Sequence, residues 1–527
     1  MTTMTFGLAA NPVEAIAAAT AQLKSAVQAR RELFIERVSF CPTVPRRQVP
    51  CSKPVPGIAV LACPGSRAPR LQRCSRTDGS KLPEHPRTSF QLPRRTPATA
   101  RLGQILLIEA PNANPPPPSR YTHGMTRRNF VVGSGMAAAS ATRTLGSNDR
   151  IGVGIIGCGR RNLLGQVLEF QQRSNAEVRA VCDIWQAQRE GAAARVKDSA
   201  GNAPSQVHDY QDLLAREDID AVIIGTPDHQ HCRQLIDATR AGKDTYVEKP
   251  LAMDLKELKR AYDTVKASDR VVQMGTQVRS FPSSGAARAF VQAGGLGDIF
   301  KIEQSRNSYK PYWYRYAERR LHESDTDWRR FLMHRKPRPW DQQQYAGWFG
   351  YRDFSQGPHS NLGVHFFDLV HYVTGAGPPA RAVTMAGGFR WNRDGFDVPD
   401  SVETTLEYPK EGFLVRYCST FGVRGHSYLK FFGARGEMDA TRWGDPFIIS
   451  GKTVEDDDRI REGETIGNAE SVPHMLNFLE CVRTRQTPNA PIEAGYNHSI
   501  AAILADESFV RGSRVVYDAG KRKIREG

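Results

Sequence analysis

From position 150 onward, short apolar runs alternate with segments whose apolar residues recur every three to four positions. The runs 151–156, 178–182, 221–225, 245–247 and 271–274 are bounded by turn residues, which predicts short strands buried on both faces. Between them, 162–172, an Ala- and Arg-rich stretch ending near 197, 210–217, 235–241 and 255–267 read as helices. Strands alternating with helices in this way predict βαβ units and a parallel sheet. After about Gly275 the texture changes. The segments 300–304, 382–386, 401–408 and 412–419 alternate apolar and polar residues, as strands with one exposed face do, while 366–373 and 473–484 read as helices. The predicted class is α/β: a parallel-sheet domain over 150–276, then an α+β domain with a largely antiparallel sheet over 277–527.

Residues 1–124 break this pattern. They hold 17 of the 33 prolines, including 115–118, with scattered arginines and helical periodicity only around 13–33. Proline removes backbone donors and Arg-rich polar sequence offers little to bury. This stretch is expected either to be a disordered extension or to lie upstream of a true start at Met125, and the second is favoured. Met125 is followed by Thr126-Arg127-Arg128-Asn129-Phe130, a weakly apolar run over 131–141 and Ala139-Ser140-Ala141. That layout is a twin-arginine export signal, so 125–149 reads as a signal-like segment and linker. With a start at Met125 the expected location is periplasmic or exported; with a start at Met1 it is cytoplasmic.

The formal charge of +16 suggests nucleic acid or an anionic membrane until it is placed along the chain. Residues 1–149 hold 20 Lys+Arg against 7 Asp+Glu, and the rest hold 52 against 49. With the excess outside the regular region and no basic stripe on a binding module, no nucleic-acid partner is expected. Cys41, Cys51, Cys63 and Cys74 fit no metal-knuckle spacing, and the other five cysteines are isolated. No stretch reaches the roughly 18 apolar residues of a membrane span.

The strongest local signal is Gly154-Ile155-Ile156-Gly157-Cys158-Gly159-Arg160-Arg161-Asn162, a strand ending in a glycine turn that opens a helix. This is the dinucleotide-binding turn of a Rossmann domain, with Gly157 for the tight turn and Gly159 for close approach of a pyrophosphate to backbone N–H groups. Asn162 stands where the third glycine is usual. Asp183 ends the second strand, where a carboxylate accepts from the ribose hydroxyls and repels a 2′-phosphate, favouring NAD over NADP. A helix N-cap before Trp185 is the alternative role. Thr226-Pro227-Asp228-His229-Gln230-His231 follows the third strand, and Glu248-Lys249-Pro250 follows another, at the sheet edge where such folds bind ligands.

This ordered set resembles the glucose–fructose oxidoreductase/inositol dehydrogenase/MocA family, from about Arg150 to about Ile524. The resemblance implies a Rossmann domain, a C-terminal α/β domain and NAD as cofactor. It places Lys249 between nicotinamide and substrate hydroxyl, where an ammonium stabilises a developing alkoxide. The segment Gln356-Gly357-Pro358-His359-Ser360-Asn361-Leu362-Gly363-Val364-His365-Phe366-Phe367-Asp368 looks like the family's approach to a catalytic helix. His365 matches the histidine that takes the alcohol proton, and Asn361 stands where the family has an acid. Four-residue helical spacing puts 361 and 365 on one face. The catalytic set is therefore Lys249, His365 and Asn361. The cofactor set is Gly157, Gly159, Arg160, Asn162, Asp183, Thr226, Pro227, His231, Glu248, Lys249 and Gln277.

Gln277 and Arg279 lie just past a strand end, where they either reach nicotinamide or substrate or serve as a linker between domains. Tyr309, Tyr312, Trp313 and Tyr314 form an aromatic cluster that suits a sugar face or a core. Asp327-Trp328-Arg329 and the stretch 340–348 resemble loops shaping a substrate mouth. His229 and His231 lack convergent carboxylates, so no metal is expected. The expected activity is hydride transfer between nicotinamide and a hydroxyl of a sugar, polyol or inositol-like substrate. The alternatives are a redox-assisted, NAD-dependent glycosidase with a recycled cofactor, and a non-catalytic sugar-binding protein on the same fold. The second sheet's open face offers a surface for homo-oligomer formation.

Overall fold

The computed structural model describes residues 149–451, 459–460 and 463–527. The Pro-rich stretch 1–124 and nearly all of the twin-arginine-like segment (125–148) lie outside the described residues.

The first sheet collects β1 (Ile151–Ile156), β2 (Ala176–Cys182), β3 (Ser205–Val207), β4 (Ala221–Ile224), β5 (Asp244–Val247) and β6 (Val272–Met274). They lie in the order β3-β2-β1-β4-β5-β6, every pairing parallel. The crossovers carry α1 (Leu163–Phe170), α2 (Gln186–Ala200), α3 (Tyr210–Leu214), α4 (His231–Arg240) and α5 (Leu255–Lys266). Alternate strand residues serve opposite faces. Ile151, Val153 and Ile155 pack with Leu163, Leu164 and Val167 of α1, while Val222 and Ile224 pack with Leu235 and Ile236 of α4. Burial on both sides explains why these strands are apolar throughout. The carboxyl ends stay in step: Ile156 pairs with Cys182 and Ile224, and Ile224 with Val247. The residues that follow these strands therefore meet along one edge, at the point where strand order reverses.

The second region begins with α6 (Pro282–Gln292) and β7 (Ile299–Ser308). Three short helices follow, α7 (Tyr312–Ala317), α8 (Trp328–Leu332) and α9 (Gln342–Ala346), then α10 (Val364–Thr374). Strands β8 (Arg381–Gly387), β9 (Ser401–Tyr408), β10 (Phe413–Phe421), β11 (Tyr428–Gly433), β12 (Gly436–Asp439), β13 (Ile448–Ser450) and β14 (Glu464–Thr465) come next. After α11 (His474–Thr484) and α12 (Ile492–Arg511), the chain closes with β15 (Val515–Asp518) and β16 (Lys523–Glu526). The ten-stranded sheet runs β14-β13-β12-β11-β7-β10-β9-β8-β15-β16. All its pairings are antiparallel except β7 with β10.

Beyond the elements expected from periodicity, the structure adds β3, α6, β11 to β16 and the 20-residue α12. One helix of the second region serves the first sheet. Met475, Phe478, Leu479 and Val482 of α11 share a core with Ile151, Val153 and Val178. The seam is polar at His474, whose Nδ1 meets Ser280 Oγ at 2.8 Å and whose Nε2 meets the Met274 carbonyl at 2.8 Å.

Burial depresses the imidazole pKa of His474 to about 4, and those of His359 and His371 to about 3. Each binds a proton more readily unfolded than folded, so stability is complete above about 6.5 and is lost as pH falls toward the folded values. At pH 5 the loss is on the order of 2 kcal/mol per histidine. Urea midpoints measured at pH 7 and pH 5 are expected to show a marked drop at the lower pH; equal midpoints would contradict neutral burial of these rings.

Candidate active site

The glycine turn after β1 is shaped by backbone geometry. Gly157 has φ +87°, and a Cβ there would lie 2.8 Å from the Gly225 backbone, so no side chain fits. Around Gly159 a Cβ would meet nothing within 4 Å, which leaves open space against the turn. Asn162 adopts φ 56°, ψ 32°, a left-handed conformation that asparagine tolerates better than most residues. Its side chain accepts from Arg195 (2.9 Å) and crowds Gly165. Asn162 thus shapes the turn through its backbone and does not line the cleft, a correction to its expected cofactor contact.

A cleft of about 790 Å³ runs along the carboxyl edge of the first sheet. Gly157, Gly159, Arg160, Asp183, Thr226, Pro227, His231, Glu248, Lys249, Asn361 and His365 all line it. The Asp183 oxygens accept the backbone N–H groups of Cys158 (2.8 Å) and Trp185 (2.9 Å). Asp183 does not cap the following helix, whose N-cap is Trp185 with no side-chain cap bond, a correction to that alternative role; each carboxylate oxygen keeps a second lone pair free to accept from a ligand. His231 ties two loops together, with Nε2 2.8 Å from the Thr226 carbonyl and Nδ1 2.7 Å from that of Pro250. The Lys249–Pro250 peptide is cis.

Two expectations at the strand end after β6 are corrected. Gln277 lies behind Glu248, donating to it (2.9 Å) and to Tyr246 Oη (2.6 Å) and accepting from Arg161 (2.8 Å). Arg279 turns inward and pairs doubly with buried Asp368 (2.7 and 2.8 Å). Burial alone would push the Asp368 carboxyl up, but Arg279 and His498 hold it far below the usual carboxylate range. Neither Gln277 nor Arg279 lines the cleft. Proximity in sequence to a strand end does not say which way a side chain points.

Lys249 Nζ donates to the backbone carbonyl of Asn361 (2.8 Å). The segment His359–Gly363 is one π-helical turn, not the regular α-helix assumed for the 361/365 spacing, and α10 starts directly after it. Such turns often mark functional sites. Beside Lys249 lies Asp228, which the sequence reading quoted but did not single out. It is buried and accepts from Ser355 (2.9 Å) and Ser360 (3.0 Å). Burial raises its pKa, opposed by Lys249, His231 and the two serines. Burial likewise lowers the pKa of Lys249, opposed by Asp228 and Glu248. His365 falls well below 6.5, first through burial and then through the cations of Lys249 and Arg161.

The aromatic cluster divides. Tyr312 lines the cleft, whereas Trp313 and Tyr314 pack with Phe396 in a local core and Tyr309 is about half exposed. The stretch carrying α7 to α9 spans the Asp183 end of the cleft. Arg330 pairs with Asp209 (2.9 Å), His208 with Asp327 (3.0 Å), and Arg319 lies 5.2 Å over the Trp185 ring. His229 packs against Phe331 and Phe354 as a core residue, its Nε2 on the Phe331 carbonyl (2.8 Å).

Residues 151–276 match the NAD-binding Rossmann fold of the GFO/IDH/MocA oxidoreductase family, and residues 288–516 match that family's C-terminal alpha/beta domain. The chain belongs to this family. It is 24% identical over 263 residues to an uncharacterized oxidoreductase of Streptococcus pneumoniae, covering 47% of this chain and 63% of that relative. A glycosyl hydrolase family 109 protein of Shewanella baltica is 26% identical over 236 residues, 36% of this chain and 51% of the relative. The chain thus spans about half to 63% of the length of these relatives. Among solved structures, levoglucosan dehydrogenase in complex with NADH superposes with TM-score 0.55 at 18% identity, over 70% of this chain and 99% of that one. The WlbA dehydrogenase of Bordetella pertussis, in complex with NADH and UDP-GlcNAcA, gives 0.54 at 19%, over 70% and 99%. These likenesses concern the fold.

NAD is the cofactor of this domain, and the residues fit it. The Gly157 turn excludes any side chain, the space at Gly159 is open, and the Asp183 carboxylate lines the cleft next to them. Gly157→Ala is expected to raise the Kd for NAD at least tenfold, read by tryptophan fluorescence quenching. Asn162→Gly, which keeps the left-handed turn, is expected to leave it within twofold. Equal Kd values for Gly157→Ala and the parent chain would show that the turn is not the nucleotide site.

Proposed function

We propose that the protein is an NAD-dependent oxidoreductase that transfers a hydride between nicotinamide and a hydroxyl of a sugar, polyol or inositol-like substrate. One observation carries this reading: Lys249 and His365, from different sheets' elements, line the same cleft as the glycine turn and Asp183. At that end of the cleft the side-chain atoms Tyr312 Oη, Asn361 Nδ2 and His365 Nδ1 are buried with no hydrogen-bond partner among the described residues. Buried polar atoms left unpaired are costly, and a ligand rich in hydroxyls supplies their partners.

NAD, when bound, supplies the acceptor for the hydride on oxidation and its donor on reduction. Lys249 holds the reacting oxygen and stabilises charge developing on it, while Asp228 and the Asn361 carbonyl keep the ammonium aimed. His365, neutral in its setting, takes the hydroxyl proton. Burial keeps the Tyr312 phenol protonated and hence a donor.

A second reading is favoured by the relatives named glycosyl hydrolase family 109. On it, transient oxidation of one hydroxyl acidifies the neighbouring C–H, a glycosidic bond is eliminated, and the cofactor returns to its starting state. Net NADH formation from a sugar or polyol library supports the dehydrogenase; turnover with no net cofactor change supports the recycling enzyme. With a start at Met125, the twin-arginine pattern would carry the protein out of the cytoplasm, where a retained cofactor suits recycling; with a start at Met1 the protein stays in the cytoplasm.

Lys249→Ala is expected to abolish turnover while changing NAD affinity less than threefold; undiminished turnover would remove Lys249 from the mechanism. For oxidation, kcat/KM is expected to hold as pH falls through 6.5, because the folded His365 pKa lies below that value and its base form persists. The alkaline limb is expected below 10.5, since Lys249 loses its proton earlier than a free lysine. An acid limb centred at or above 6.5 would rule out His365 as the base.

A further inference from the structure

Beside the main cleft, the region between β7 and β11 encloses a recess of about 180 Å³. Arg306 and Trp443 line both cavities, so the two share a wall. That wall is at the reacting end, because the Trp443 and His365 rings lie 6.0 Å apart.

The recess has a polar floor on an apolar support. Gln304 and Arg306 stand two residues apart on β7 and face the same side. Leu429 of β11 pairs opposite Gln304. Gln304 is buried, and its side-chain oxygen has no hydrogen-bond partner among the described residues. The hydroxyl residues Ser427 and Thr441 complete the rim. Arg306 makes no ion pair among the described residues, and its guanidinium sits 5.7 Å over the Trp443 ring. An unpaired amide oxygen, hydroxyls and a guanidinium without an ion pair, set beside the indole of Trp443, form a surface for a ring with hydroxyl edges. The volume suits one such ring and not two.

We propose that this recess is a second sugar-binding subsite. The substrate is then a glycoside of at least two sugar rings, the reacting ring at Lys249 and His365 and its neighbour beyond Trp443. The proposal rests on the sugar-directed reading above and specifies its substrate class. A monosaccharide would leave the Gln304 oxygen and the recess unfilled, while a linked second ring fills both without disturbing the first.

Calorimetric titration of the NADH-loaded protein with glucose and galactose, and with maltose, cellobiose and lactose, tests this. At least one disaccharide is expected to bind tenfold or more tightly than its monosaccharide. Gln304→Leu, which keeps the volume and removes the amide, is expected to cut that preference at least fivefold, with NADH affinity confirming a folded protein. Disaccharides binding no better than monosaccharides, or Gln304→Leu weakening both alike, would overturn the subsite and leave the sugar reading intact. Absence of binding by every sugar would sink that reading, and the subsite with it.

Discussion

An ammonium removed from bulk water must find partners, and at Lys249 those partners come from both halves of the described structure. Its Nζ donates to the Asn361 carbonyl in the π-helical turn of the second region, and Asp228 from the loop after β4 lies close enough to offset its desolvation. Asp228 in turn is held by Ser355 and Ser360, again from the second region. Both groups draw partners from the second region: Lys249 the Asn361 carbonyl, and Asp228 the two serine hydroxyls. The same contacts therefore fix the position of the Lys249 ammonium in the cleft.

The rest of the site follows from this docking. His365 stands two residues past the π turn that supplies the Asn361 carbonyl, so whatever aims Lys249 also places the imidazole. His231 holds the Lys249-Pro250 turn from the opposite side through the Pro250 carbonyl. Arg279 and Asp368 form a buried pair that anchors α10 to the segment after β6. Arg279 and Asp368 lie behind the cleft, while Tyr312, Asn361 and His365, each with an unpaired polar atom among the described residues, line it.

Much of this was legible in the sequence, for identifiable reasons. Strands buried on both faces read as unbroken apolar runs, so β1, β2, β4, β5 and β6 were visible, and the glycine turn, Asp183 and Lys249 follow from strand ends. The helix α12 was not, because its burial extends around most of its surface, from Ala494 through Ser508, and leaves no one-sided stripe to detect. The parallel pairing of β7 with β10 is a non-local choice that alternation cannot reveal. Asp228 carried no separate signal, since a carboxylate after a strand becomes significant only when distant serines close over it. Gln277 and Asn162 were misjudged for the complementary reason: sequence position located their backbones, while packing chose the direction of their side chains.

The asparagine at 361 bears on how the imidazole works. An acid one turn before His365 would raise its pKa and favour keeping the proton once taken. Asn361 offers no charge, and its amide nitrogen is left without a partner among the described residues. Burial first, then repulsion from Lys249 and Arg161 against attraction from Asp368, keeps the His365 pKa below its ordinary value and the ring neutral. A neutral imidazole of this kind can take a proton during oxidation and return it during reduction, as the proposed hydride transfer requires in its two directions. The ion pairs of Arg330 with Asp209 and of His208 with Asp327 fasten the stretch carrying α7 to α9 beside the Asp183 end of the cleft.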